Sequence, residues 1–240
     1  MSPFALSIAL GLVAAFADYF GGILLVRRSP SAIALRYFIA FGSGFMLAAA
    51  MLEMVPESMH FGLKFASIMI LAGYCGVHLL EHTISPHFHF GEETHHHAIS
   101  RKTTYSVLFG LATHTFFDGV AIASGFTLSN WLGWVLFFAV FLHKIPEGFT
   151  VASVMMAGGQ SRRAALNSAM FLGFTTLAGV LVISFLPSLV RFGLPLSAGV
   201  TIYVAATDLV PEVNREPGIK MALVFFAGVA IFFVLRMLVP

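Results

Sequence analysis

The sequence predicts an all-α protein embedded in a membrane, and three observations carry that prediction. Of its 240 residues, 58% are hydrophobic and only 10% are charged, where a soluble domain carries about 25% charged residues. The mean hydropathy is +0.91. The apolar residues form continuous runs rather than alternating with polar ones, which excludes a transmembrane β-barrel. A net charge of +2 with 13 basic residues offers no basic patch for nucleic acid. The single cysteine, Cys75, excludes a disulfide framework and a cysteine-built metal cluster.

A helix needs about 20 mainly apolar residues to cross the hydrocarbon. Eight stretches qualify, at 3–25, 33–55, 62–84, 104–128, 132–157, 163–186, 193–213 and 219–239, so residues 1–240 read as one polytopic transmembrane domain. The first contains Ala15-Phe16-Ala17, which looks like a signal-peptidase site. No basic residue precedes that run, however, and Arg27 and Arg28 follow it, as expected of a retained first span. Arg27, Arg28, Arg36, Arg101, Lys102, Arg162, Arg163, Arg215 and Lys220 fall on one side of the predicted membrane. Lys64, Arg191 and Arg236 fall on the other. The positive-inside rule then puts both termini outside the cytoplasm. Lys144 is the thirteenth basic residue, and it lies within a span.

The segment between spans three and four is unlike the rest. Residues 82–102 contain His82, His87, His89, Glu92, Glu93, His95, His96 and His97. A His-rich tract with carboxylates suits borderline divalent cations, so a cytoplasmic loop at about 85–102 is an auxiliary metal-binding candidate through His87, His89, His95, His96 and His97.

A charged group at bilayer depth costs about 3 kcal/mol or more, so each marks a functional candidate. Span four contains His114-Thr115-Phe116-Phe117-Asp118-Gly119, and span five contains His143-Lys144-Ile145-Pro146-Glu147-Gly148. The two match position by position. Residues four apart share a helix face, so each span presents one imidazole and one carboxylate together. Two such faces turned toward each other suit Zn²⁺ or Fe²⁺. Pro146 is expected to free a carbonyl and kink its helix, and Gly119 and Gly148 to permit close helix approach. Lys144 requires an acidic partner, with Glu147 or Glu53 as candidates.

A second internal echo links Glu53-Met54-Val55-Pro56-Glu57 in span two with Asp208-Leu209-Val210-Pro211-Glu212 in span seven. It suggests that spans one to three and six to eight are repeats flanking a central pair, inserted with opposite topology. Glu53 and Asp208 lie deep enough to reach a pore. Glu57 and Glu212 lie nearer a membrane face, and Asp18 in span one has no evident partner.

At these residues the sequence resembles the ZIP (Zrt/Irt-like) family of divalent metal transporters. HTFFDG and HKIPEG are similar to the family's fourth- and fifth-span motifs, and the likeness extends over essentially the whole chain. It implies a 3+2+3 bundle of eight transmembrane helices with inverted repeats, a homodimer, and movement of Zn²⁺ or a related metal toward the cytoplasm. His114 and Asp118 match the fourth-span ligands, His143 and Glu147 the fifth-span ones, and Glu53 an additional ligand. Thr115, Lys144, Asp208 and Met46 are expected to line the pore or support the ligands. Two-metal members of the family carry an Asn after the first His, an acid or similar ligand after the second and a carboxylate in span six. This chain has Thr115, Lys144 and Thr175-Thr176, and an ammonium beside a divalent site opposes a second cation.

The expected function is therefore transport of Zn²⁺, with Fe²⁺, Mn²⁺ and Cd²⁺ as further substrates, by an integral protein of the plasma or inner membrane. An intramembrane zinc-dependent hydrolase is the alternative, although no HExxH helix is present and no serine adjoins the paired motifs. A metal sensor or chaperone would keep the His-rich loop without requiring paired sites inside the membrane.

Overall fold

The computed structural model describes residues 2–27, 32–83, 101–214 and 219–238. His87, His89, His95, His96 and His97 lie outside the described residues. Eight helices are long and apolar enough to cross a membrane: α1 (Pro3–Arg27), α2 (Ile33–Met59), α3 (Leu63–Thr83), α4 (Thr104–Leu128), α5 (Asn130–Ala157), α6 (Arg162–Phe185), α7 (Pro187–Leu209) and α8 (Ile219–Leu238). No strand occurs among the described residues. Large apolar side chains such as Phe16, Leu71, Phe185 and Phe226 point outward, whereas Asp18, His114, Asp118, His143, Lys144 and Glu147 are each at most 2% exposed inside. This inversion of the soluble pattern is what a hydrocarbon solvent requires.

Local chemistry sets several of the boundaries. Between α4 and α5 the Ser129 hydroxyl accepts a hydrogen bond from the Leu132 N–H at 3.1 Å, and Ser161 does the same for Ala164 at the start of α6. The tight turns before α3 and α6 use Gly62 and Gly159, whose φ values of 112° and 75° disfavour a side chain. In α2 and α7 the helix widens to π turns at Ala50–Met54 and Val204–Leu209. Each wide turn lies just before a proline, Pro56 or Pro211, which has no N–H to continue the ordinary ladder. Glu53 and Asp208 ride on these turns.

One span boundary is corrected. The seventh span starts at Pro187 rather than near residue 193, and Gly193 lies inside it, packed under Val120 and Ile183. Pro146 sits inside α5, which is helical from Asn130 to Ala157. The Leu142 carbonyl, deprived of the proline's missing donor, packs against Gly42 of α2.

The pattern of neighbours is regular. Helix α4 packs on α5, α6 and α7, and α5 packs on α4, α1 and α2. On the outside α8 packs on α2, and α3 on α7. Small residues bring the backbones together: Gly44 and Gly228 each meet a backbone carbonyl across the α2–α8 contact, of Phe225 and Phe41, and Gly199 and Gly73 meet those of Ile70 and Leu196 across α3–α7. The spacing is the same throughout, since Gly44 to Gly199, Gly73 to Gly228, and Glu53 to Asp208 are each 155 residues apart.

Candidate metal centre

The two central helices build the centre, and the four-residue spacing of each motif places its pair on one face. His114 and Asp118 project from α4 toward α5, and His143 and Glu147 project from α5 toward α4. One ligand atom from each of the four lies within 4.8 Å of the other three, and all four residues are buried. The pairs are crossed. His114 Nε2 stands 3.1 Å from Glu147 Oε1, and His143 Nε2 stands 3.2 Å from Asp118 Oδ2 and 3.8 Å from Glu147 Oε2.

Neighbouring groups fix these ligands. His143 Nδ1 lies 3.0 Å from the Ala139 carbonyl oxygen. A carbonyl only accepts, so Nδ1 carries the hydrogen, and in the neutral ring Nε2 presents its lone pair to the carboxylates. His143 Nε2 and Asp118 Oδ2 stand 3.2 Å apart, a separation that two ligands of one ion can share. The Thr115 hydroxyl donates to Glu147 Oε1. Behind the ligands, Gly119 meets the Thr176 carbonyl of α6 and Gly148 meets the Asp18 carbonyl of α1. These contacts set α1 and α6 directly against the site.

Lys144 is fully buried within the same group. Its Nζ donates to Glu147 Oε2 at 2.6 Å and stands 2.8 Å from Asp118 Oδ2. Of the partners expected for it, Glu147 is present and Glu53 is not. Glu53 stands apart from the four residues, and its Oε1 is 3.1 Å from Nε of Arg236 at the end of α8. Asp208 is also outside the group and accepts a 3.4 Å hydrogen bond from the Thr207 hydroxyl. Met46 is buried in an apolar cluster with Tyr203, Val204 and Leu209. Asp18 is the residue that sequence reasoning could not place. It comes from α1 to within 3.8 Å of Lys144 Nζ.

Zinc holds nitrogen and oxygen ligands tetrahedrally at about 2.1 Å, so four ligands on one ion stand about 3.4 Å apart. A set already within 4.8 Å closes on an ion with movements of under about 1 Å per ligand. Two imidazoles and two carboxylates form a borderline donor set suited to Zn²⁺ and neighbouring divalent metals.

Comparison with known proteins agrees in kind. A family model described as ZIP Zinc transporter matches residues 91–236. Zinc transporter YKE4 of Saccharomyces cerevisiae is 22% identical over 223 residues, covering 79% of this chain and 64% of that protein. Zinc transporter ZIP6 of Homo sapiens is 31% identical over 114 residues, or 45% of this chain and 15% of that protein. Zinc transporter ZIP10 of Mus musculus is 29% identical over 118 residues, or 48% and 14%. The matched regions thus span from about one-seventh to under two-thirds of these relatives' lengths. The family match runs through α4, α5, α6 and α7 and takes in both halves of the buried centre, and on that ground the chain belongs to the ZIP zinc transporter family.

Proposed function

We propose that this chain carries Zn²⁺ across the bilayer into the cytoplasm through one metal site formed by His114, Asp118, His143 and Glu147. The observation that carries the proposal is the convergence of these four buried ligands from two adjacent spans. Zinc is the leading substrate because the matched relatives are named zinc transporters; Fe²⁺, Mn²⁺ and Cd²⁺ suit the same donors. Imidazole and carboxylate must be unprotonated to bind a metal, so uptake should fall as the medium is acidified.

The site takes one ion on this reading. Lys144 keeps an ammonium beside the four ligands, where its charge opposes a second cation, and Thr115 and Thr176 supply no further charge. Glu53 is already paired with Arg236 and stays outside the ligand set. The equal 155-residue spacing, and the exchange of partners between α2–α8 and α7–α3, support a 3+2+3 bundle with inverted repeats. The distribution of arginine and lysine supports termini outside the cytoplasm. A homodimer in the plasma or inner membrane completes the proposal, and the His-rich loop acts as an accessory collector of metal.

Flux into sealed proteoliposomes loaded with a zinc-sensitive dye tests the core of this reading. The wild-type chain should admit Zn²⁺, whereas Asp118→Ala and Glu147→Ala should each lower the initial rate by at least about tenfold, with the protein still inserted. Near-normal uptake by both variants would sink the four-ligand site.

A further inference from the structure

Asp18 is fully buried in the first transmembrane helix, and both its carboxylate oxygens lack a hydrogen-bond partner among the described residues. A buried carboxylate without a donor is costly and needs a reason. The nearest cation is Lys144 Nζ, 3.8 Å from Asp18 Oδ2, which is too far for a hydrogen bond. The same Nζ holds Asp118 Oδ2 at 2.8 Å and Glu147 Oε2 at 2.6 Å, two carboxylates of the four-residue group. The ammonium therefore stands where a metal ion's charge belongs, beside an unused acceptor. The backbone fixes that acceptor, because Gly148 on α5 meets the Asp18 carbonyl and holds α1 against the turn that bears Lys144 and Glu147.

The charges reinforce the geometry. Asp18, Asp118 and Glu147 are three buried carboxylates, and Lys144 is one buried ammonium. Their formal sum is −2, which one divalent ion brings to zero in a region where uncompensated charge is unfavourable. Without Asp18 the sum is −1, and a bound divalent ion leaves an excess positive charge beside a lysine.

We propose, resting on the metal-site reading above, that Asp18 is the docking counter-ion for Lys144: when a divalent metal enters, the ammonium leaves Asp118 and Glu147 and pairs with Asp18. Lys144 keeps its charge throughout and acts as a tethered cation that exchanges with the metal. Its rival partners face it from α4, in Asp118, and from its own helix, in Glu147; Asp18 alone comes from α1. Asp18 is thus a positioning residue that touches no metal, and it matches the charge of the site to a single divalent ion.

The test is calorimetric titration of the purified full-length protein with Zn²⁺ alone, together with a zinc-bound structure. Asp18→Asn should weaken Zn²⁺ binding by about 10- to 100-fold, the range for a residue that acts through a ligand's neighbour. The double variant Asp18→Asn with Lys144→Met restores the formal −2 and should recover most of that loss. A purely structural Asp18 predicts a double variant at least as weak as the single one. In the zinc-bound wild-type chain, Lys144 Nζ should lie within hydrogen-bond distance of Asp18. The proposal falls if Asp18→Asn binds like wild type, if the double variant stays as weak as the single one, or if Nζ remains between Asp118 and Glu147 with metal bound. Glu147→Gln separates the two levels. If Glu147→Gln abolishes binding while Asp18→Asn leaves it intact, the metal site stands and only the docking role fails. Normal binding by Glu147→Gln removes both.

Discussion

At the scale of residues, the stoichiometry of the site turns on Lys144. A second divalent ion needs its own negative ligands, and the nearby positions hold an ammonium at Lys144 and hydroxyls at Thr115 and Thr176. Anomalous diffraction from zinc-soaked crystals should therefore show a single strong peak between α4 and α5. Two fully occupied peaks about 3.5–4 Å apart, the spacing of two-metal centres, would refute one-ion binding. Lys144→Asp combined with Thr176→Glu should begin to create the second peak. The four candidate ligands were legible in the sequence because each pair is local: four residues on one helix settle a shared face whatever the tertiary structure. Asp18 was not legible, since its meeting with Lys144 depends on how α1 docks on α5 across more than a hundred residues. The same limit hid the pairing of Glu53 with Arg236, which brings a proposed pore residue to the end of the last helix instead.

At the scale of elements, apolar runs fixed the number of helices, and glycines set how closely they pack. Gly148 is the sharpest case. A methyl group there meets the carbonyl of Asp18, and that backbone oxygen has no rotamer through which to escape. Gly148→Ala should force α1 away from α5 and destabilise the protein by about 1–3 kcal/mol, the usual cost of overpacking. Gly76 on α3 is the internal control: it is exposed, and nothing lies within 4 Å of where its methyl group would stand. Gly76→Ala should leave stability unchanged or raise it by up to about 1 kcal/mol through helix propensity alone. Unfolding in mixed micelles followed by circular dichroism measures both, and equal behaviour of the two variants would show that the α1–α5 contact tolerates expansion. The sequence hinted at close approach at Gly119 and Gly148 but gave no such hint at Gly193, which packs under Val120 of α4 and Ile183 of α6. Composition does not distinguish a packing glycine from a helix breaker. Its neighbours do.

At the scale of the whole molecule, the polar groups separate into two populations with different physical demands. The buried group at α4 and α5 must be compensated inside the bundle, so each of its members is tied to another helix. The histidines of the predicted 85–102 loop fall between two spans in the sequence, and on the proposed orientation water can solvate an imidazole there. Among the described residues, the helix–helix contacts are made by the spans themselves. Replacing His87, His89, His95, His96 and His97 together should therefore leave insertion and thermal stability intact. Zinc uptake at saturating zinc should also be retained, because the four candidate ligands within the bundle are unchanged. The deficit should appear only when zinc is scarce, as a higher half-saturating concentration, since a His-rich tract raises the local metal concentration without altering the rate-determining site. Uptake measured across a range of free zinc separates these effects. A variant that reaches the membrane normally yet carries no zinc at any concentration would place the loop on the obligatory path and overturn its accessory role.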